Sequence, residues 1–186
     1  MDGIRQFGVY SLRPLGESDL RMLLDWRNSD RVHSKMLSDH TISWEEHCGW
    51  FLRAKDYEPK RNFIFCYKDI PVGYIGYTEY DAENASCSPG CYLGVTEGIP
   101  YESGFFLFYA AIEYAFSNLG MMTLETSVFS DNREAIKLDE FLGYRRLPGK
   151  DESVQKAGTL RTVFRYGMDK VSWNERKKKV SYILGL

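Results

Sequence analysis

An α/β (α+β) fold, a sheet covered by helices on both faces, is predicted by three observations. Capped, amphipathic segments alternate with β-branched and aromatic runs in the order β, α, α, β, β, β, α, β, α, β. Strand-like runs dominate the middle of the chain, and helical ones interrupt them at both ends. The 186 residues are 44% apolar and 15% aromatic, which suits one globular domain with a sizeable core rather than a disordered chain. The expectation is a single domain over 1–186, with its core at about 10–170 and a basic tail at 171–186.

Each element has a local reason. Tyr10–Pro14 reads as a short strand ended by proline. Ser18 is the expected N-cap of the next helix, and Leu20, Leu23 and Leu24 form its buried stripe. Ser43 and Glu46 make a capping box that opens a helix over about 44–55, with Trp50 and Phe51 inward. Residues 62–68 and 72–80 are hairpin partners about a turn at 69–71. Gly73 and Gly76 mark bulges or close backbone approach there. A polar loop at 81–90 leads to a third strand at 91–96. After a glycine-flanked turn at 98–104, residues 105–118 form a nearly all-apolar helix. Glu113 is its one charge between Phe105 and Phe116, so the helix is expected to be deeply buried. A strand at 123–128 precedes a second capping box, with Asp131 as cap and Glu134 as its partner. That helix runs to about Leu142, with Gly143 at C′, and a strand at 160–168 ends the fold.

Composition excludes several functions. A net charge of −2 argues against a duplex DNA binder, which must neutralise many phosphates. The longest apolar stretch, 105–112, is too short for a bilayer span of about 20 residues. Residues 1–6 lack a basic-then-apolar leader pattern. A cytoplasmic protein is expected, with Cys48, Cys66, Cys87 and Cys91 as reduced thiols. Cys87 and Cys91 have no matching second pair, and the helix start at Ser43 breaks the even spacing of His33, His40 and His47. No metal site is expected.

The chemistry concentrates between Cys91 and Tyr144. A strand that turns into a helix N-terminus makes an anion site, because the first helical amides lack intrachain acceptors. The donors here are the amides of Ser103, Gly104 and Phe105. Geometry alone leaves phosphate binding and no binding both open.

The run Val128-Phe-Ser-Asp-Asn132-Arg-Glu-Ala135-Ile136-Lys-Leu138-Asp-Glu-Phe-Leu-Gly143-Tyr144 resembles the V-x-x-x-N-x-x-A-I-x-L-Y-x-x-x-G-F pattern of the GCN5-related N-acetyltransferase family. Ala111-Ile-Glu-Tyr-Ala-Phe116 is similar to the helix after the family's pyrophosphate loop, and Phe164-Arg-Tyr-Gly-Met168 to its last strand. The resemblance spans about 10–170. It implies a mixed, mostly antiparallel sheet and acetyl-CoA as co-substrate. It also implies cofactor contacts from Leu93, Gly94, Val95, Tyr101, Ser103, Gly104, Phe105 and Asn132. Two positions depart from the family. The pyrophosphate loop pattern Q/R-x-x-G-x-G/A aligns with Ile99-Pro-Tyr-Glu102-Ser-Gly104, so Ile99 and Glu102 replace the basic or amide residue and the first glycine. Asp139 stands where the family has a tyrosine thought to protonate the departing CoA thiolate. An ordinary Asp, with a pKa of ~3.9, is ionised at neutral pH and donates only if desolvation raises it. Asp139 reads equally as an ion-pair partner of Arg145 or Arg146.

A narrower resemblance lies in Trp26-Arg27-Asn28, Met36, Asp39-His40-Thr-Ile42-Ser43, Glu46-His47 and Trp50-Phe51. These are similar to the branch that acetylates nucleotide-linked 4-amino-4,6-dideoxy sugars, as in pseudaminic acid biosynthesis. The resemblance puts Arg27, Met36 and His47 near a sugar nucleotide, with Tyr77 a further substrate residue. The implied reaction is direct attack of a neutral sugar amine on a thioester beside the third strand, with a backbone amide near 93–95 on the developing oxyanion. His47 and Glu79 are the base candidates; Tyr144, another Tyr, Asp139 or water is the acid. The implied partner is a small molecule, with neither nucleic acid nor membrane; oligomeric state is open, a homodimer included. Two other readings stand beside this one. They are an acetyltransferase for a protein N-terminus or side-chain amine, and a degenerate, non-catalytic acyl-CoA-binding domain.

Plainer roles exist for the same residues. Arg27 suits the C-terminal end of a helix dipole. Asn132 suits a helix first turn. Tyr74, Tyr77, Tyr80 and Tyr92 suit sheet packing, with one or two available to stack on a base. Arg176-Lys-Lys-Lys179 suits a solvated charge run.

Overall fold

The computed structural model describes residues 5–186, with side chains from Phe7 onward. The part of the leader reading that falls on residues 1–4 lies outside the described residues. The chain forms two compact units. One comprises residues up to Tyr77 together with Gly90–Ala111; the other comprises Thr78–Pro89 and Ile112–Leu186. Strands β4 (Ile70–Asp81) and β5 (Ser86–Leu93) and helix α4 (Ser103–Ser117) each contribute residues to both.

In the first unit β1 (Arg5–Phe7), β2 (Tyr10–Pro14), β3 (Asn62–Tyr67) and β4 pair antiparallel in that order. The β3–β4 hairpin turns at Lys68 and Asp69, both with left-handed φ, and its register shifts between Phe65 and Cys66. A Cβ on Gly76 would collide with the Tyr74 hydroxyl, and one on Gly73 would come within 2.9 Å of the Tyr92 carbonyl oxygen. Close approach is therefore the reason for both glycines. Helices α1 (Leu20–Asn28), α2 (Asp30–His33) and α3 (Trp44–Ala54) follow β2. Leu20, Leu23 and Leu24 are buried as their spacing predicts. The Ser43 box is formed: its hydroxyl accepts from Glu46 N at 3.1 Å, and the Glu46 carboxylate accepts from Ser43 N at 3.3 Å.

In the second unit β5 runs parallel to β6 (Thr123–Phe129), and β6 pairs antiparallel with β9 (Thr159–Asp169). Strands β7 (Arg145–Arg146) and β8 (Glu152–Lys156) also pair antiparallel with β9. Helix α5 (Arg133–Leu142) ends at Gly143, whose φ of 108° is the left-handed C′ geometry expected. Helix α6 (Lys170–Leu184) follows β9, capped by the Asp169 carboxylate on Ser172 N. The fold is therefore mixed α/β with a mostly antiparallel sheet.

Several boundaries differ from the sequence reading, each for a physical reason. Ser18 caps nothing. Glu17–Asp19 form a 3-10 turn whose entry is held by Asp19, which accepts from Gly16 N and from both terminal nitrogens, Nη1 and Nη2, of Arg13. Asp131 is not the cap of α5; Asn132 is, and Asp131 pairs with Arg161 instead. The third strand begins at Ser86 rather than Cys91, because pairing with Thr123 and Leu124 outweighs the loop character of Pro89 and Gly90. Arg176–Lys179 lies in α6, where Trp173 and Val180, seven apart, are buried on one face; Lys178 and Lys179 are exposed as a solvated run expects, while Arg176 donates to Phe141 O and Lys177 pairs with Glu113.

Candidate functional site

Five side chains of the first unit form a contiguous series. His47 on α3 stacks on Trp50, with ring centroids 5.3 Å apart. Trp50 meets Tyr74 on β4 edge-on at 6.5 Å, and Tyr74 lies 5.4 Å from Tyr92 on β5. Arg27, in the last turn of α1, interacts electrostatically with both tyrosines. Capping and register explain the placement. The Ser43 box starts α3 so that His47 faces inward, and the β4 pleat brings Tyr74 to the same side of β4 as Gly76.

The electrostatics of this series are unusual. Arg27 Nη2 donates to Ser38 Oγ at 2.6 Å, but Arg27 Nη1 is buried without a hydrogen-bond partner. Burial pulls the guanidinium below its ordinary pKa, and the neighbouring Tyr92 and Tyr74 oppose this. Burial also pushes both tyrosines well above their usual values, against the pull of Arg27. The Tyr74 hydroxyl is committed to Asn62 Oδ1 at 2.6 Å. His47 is only 5% exposed, and its Nε2 is buried without a partner. Burial lowers its pKa and a backbone hydrogen bond to Leu20 partly offsets that, so the imidazole is neutral at neutral pH with Nε2 as its lone-pair nitrogen. The series thus combines one unsatisfied cation, one proton acceptor and a set of aromatic faces. An orphaned buried N–H is costly unless a ligand uses it.

The end of β5 lies in the same unit. Gly94 N and Val95 N both donate to the Val72 carbonyl, at 2.8 and 3.1 Å, the pattern of a bulge. A Cβ on Gly94 would fall inside the Trp26 ring, so glycine is required there. Arg31 Nη2 donates to the Gly94 carbonyl at 2.8 Å. The turn beyond is tighter than its sequence suggests. Ser103 N donates to Pro100 O at 3.0 Å, and Phe105 N to Glu102 O at 2.9 Å. Of the three amides expected to meet an anion, that of Gly104 alone has no carbonyl partner. Ser103 is fully buried, its Oγ donating to Pro100 O and lying 2.9 Å from the Tyr10 hydroxyl. Tyr101 is 94% exposed. Met36 is half-buried in the turn after α2. Tyr77 is buried and donates to Ala111 O at 2.8 Å, which commits its hydroxyl to the core.

The second unit holds Asn132, Asp139, Tyr144 and Glu79. Asn132 Oδ1 accepts from Ala135 N at a long 3.4 Å. Asp139 is 3% exposed; burial first, and the Glu140 charge second, push its pKa up to about 7. It does not pair with the arginines the sequence offered: Arg146 pairs with Asp151, and Arg145 is exposed. Tyr144 is buried, and its amide donates to the Asp139 carbonyl. Glu79 has a left-handed φ of 48° and pairs with Arg165, which also binds Glu125 and Ser127. Among the described residues no cluster of three or more His, Cys, Asp or Glu could hold a metal ion, and no helix is long and apolar enough to cross a membrane. The four cysteines form no disulfide.

Trp26 and Trp50 stand in the motif read from sequence, and Tyr74 and Tyr92 among the tyrosines available to stack on a base; Arg31 is not singled out there, because its partner Gly94 lies 63 residues away. The aromatic density around Gly73, Gly76 and Gly94, where small residues make room for large rings, is what the structure adds.

Comparison with known proteins bears on this arrangement. A family model described as an acetyltransferase (GNAT) domain matches residues 11–145. Two curated relatives from Campylobacter jejuni subsp. jejuni, both named Acetyltransferase PseH, are similar. They are 29% and 27% identical over 125 residues, 67% of this chain and 75% of theirs. Among solved structures, spermidine N-acetyltransferase from Vibrio cholerae, in complex with CoA and spermine, superposes with a TM-score of 0.81. It is 18% identical, over 89% of this chain and 98% of that one. A GCN5-related N-acetyltransferase from Brucella melitensis superposes with a TM-score of 0.73 at 16% identity, over 98% of this chain and 85% of that one.

Proposed function

The chain belongs to the GCN5-related N-acetyltransferase family and is an acetyl-CoA-dependent N-acetyltransferase, and on that premise we propose that its acceptor is the 4-amino group of a nucleotide-activated amino-deoxy sugar. The observation that carries this reading is the unpartnered Arg27 Nη1 beside Tyr74 and Tyr92. A buried guanidinium asks for an anion, and the diphosphate of a nucleotide sugar is one. The flanking aromatic rings suit a base or sugar face. The relatives named PseH support the same acceptor class. A polyamine acceptor, the substrate named for the Vibrio cholerae structure, is polycationic and would be repelled by Arg27.

Acetyl-CoA supplies the thioester acyl group. Leu93, Gly94 and Val95 receive it at the end of β5, and the open Gly104 amide takes a phosphate oxygen. His47 Nε2 takes the proton that the acceptor ammonium must lose before its nitrogen can attack. The departing thiolate takes up one proton as the nitrogen sheds one on forming the amide; within the second unit, Asp139, with its pKa near 7, is a group that holds an exchangeable proton at neutral pH. One bond forms, from amine nitrogen to acyl carbon; one breaks, from acyl carbon to sulfur. Glu79 is left to its ion pair with Arg165, and Tyr77 to the core.

Calorimetric titration with acetyl-CoA and, separately, with uridine diphosphate tests the assignment. Both ligands bind the wild type under this reading, and Arg27→Met loses the nucleotide while keeping acetyl-CoA. Unchanged nucleotide affinity in that variant would refute the role given to Arg27.

A further inference from the structure

We propose that Asn62 is a positioning residue for the nucleotide of the acceptor, acting through the Tyr74 hydroxyl to anchor the aromatic wall beside Arg27. The inference rests on the reading that Arg27 receives the diphosphate.

Tyr74 stands at the centre of that wall. Its ring meets Trp50 edge-on at 6.5 Å and lies 5.4 Å from Tyr92, and it interacts electrostatically with Arg27. Trp50, Tyr74 and Tyr92 are each half-buried, so the wall is not sealed into the core. A phenylalanine at position 74 would offer the same ring to Trp50 and Tyr92, so packing alone does not call for a hydroxyl. The hydroxyl instead ties the ring to the neighbouring strand: it donates to Asn62 Oδ1 at 2.6 Å. Burial raises the Tyr74 pKa, which keeps the phenol protonated and therefore a donor.

A second residue serves the same placement. A Cβ on Gly76 would lie 2.3 Å from the Tyr74 hydroxyl oxygen, so glycine leaves that oxygen its place. Glycine weakens a strand interior, yet β4 carries one here. Asn62 and Gly76 are register partners across β3 and β4. One strand thus receives the hydroxyl and the other gives it room. Asn62 does this with its side chain alone, because its backbone is held separately: Leu15 N donates to Asn62 O at 3.0 Å. Truncating the side chain therefore spares the register of β3 and frees the Tyr74 ring. A ring that must be ordered on binding weakens the site beside the unpartnered Arg27 Nη1. An asparagine also accepts the hydroxyl without placing a second negative charge near a diphosphate.

The test is calorimetry on the full chain with uridine diphosphate and acetyl-CoA as separate probes, in the wild type, Asn62→Ala, Tyr74→Phe and the double variant. Each single variant is expected to bind uridine diphosphate about tenfold more weakly, with acetyl-CoA affinity unchanged. The double variant is expected to lose no more than either single one, because both substitutions remove the same bond. Wild-type uridine diphosphate affinity in either single variant would overturn the inference; if Arg27→Met still loses the nucleotide, the acceptor reading stands without it. Equal weakening of both ligands would also overturn it, as the mark of a merely structural bond. So would losses that add in the double variant, since Asn62 would then act by another route. A wild type that does not bind uridine diphosphate would overturn it together with the role given to Arg27.

Discussion

Trp173 donates its indole N–H to Glu113 Oε2 across 3.0 Å, and both side chains are buried. The other carboxylate oxygen accepts from Ser117 Oγ and Lys177 Nζ, at 2.7 and 2.8 Å. A charge in an apolar helix thus serves as the anchor of α6. Glu113→Ala leaves the indole donor without its acceptor and is expected to cost about 1–3 kcal/mol, read from urea unfolding. Loss of less than half a kcal/mol would mean that the anchor contributes nothing. Burial acts to raise the Glu113 pKa, but the bonds from Lys177, Ser117 and Trp173 outweigh it and hold the pKa below its usual value. The stability it contributes is therefore present above the unfolded pKa of ~4.3 and is lost as pH falls through the lower folded value. Glu113→Gln removes this part of the acid sensitivity.

Asp139 has the opposite sign. Its folded pKa of about 7 lies above the unfolded ~3.9, so the fold holds a proton that the open chain releases. That contribution is complete below ~3.9 and lost as pH rises through about 7. Asp139→Asn is expected to melt above the wild type at pH 8 and close to it at pH 4. If Asp139 is the acid, the same variant also loses ~10²–10⁴ in kcat and the alkaline limb near pH 7 disappears. An Asn variant that retains the wild-type limb would assign the proton to another group.

His47 is expected to set the acid side of the rate profile. Burial, partly offset by the Leu20 hydrogen bond, lowers its pKa, so protonation sets in below ~6.5. Because the charged ring is disfavoured in the fold, stability also falls as pH drops through that range. A kcat/KM profile with its acid limb below pH ~6.5, abolished along with ~100-fold of activity in His47→Gln, is the expected result. Persistence of that limb in the variant would exclude the imidazole as base.

Arg27 tests whether the site is strained for function. Its unpartnered Nη1 costs stability in the free protein, so Arg27→Met is expected to melt at or above the wild-type temperature. A drop of several degrees by scanning calorimetry would instead make Arg27 a structural residue.

Legibility from sequence followed locality. The Ser43 box, the Leu20, Leu23 and Leu24 stripe and the Gly143 cap depend on residues within a turn or two, and all are as read. What went astray needed distant partners. Strand β5 gains its first residues from pairing with β6, and α6 owes its docking to Glu113, whose partners Trp173 and Lys177 lie on α6. Asp131 fits a cap as well as Asn132 does until Arg161 claims it. The site divides in the same way. Arg27, His47 and Trp50 stand in one motif and Tyr74 and Tyr92 among the sheet tyrosines, but that they form one series depends on the pleat of β4 and the turn of α3. Nor does sequence reveal that Pro100 and Glu102 carbonyls occupy two of the turn's amides.

Thiol release from acetyl-CoA decides the matter most directly, measured with three acceptors: a nucleotide-linked 4-amino-4,6-dideoxy sugar, a polyamine and a peptide with a free N-terminus. The account predicts turnover with the sugar nucleotide and near-background rates with the other two. Turnover of the polyamine or peptide, with none of the sugar nucleotide, would contradict it.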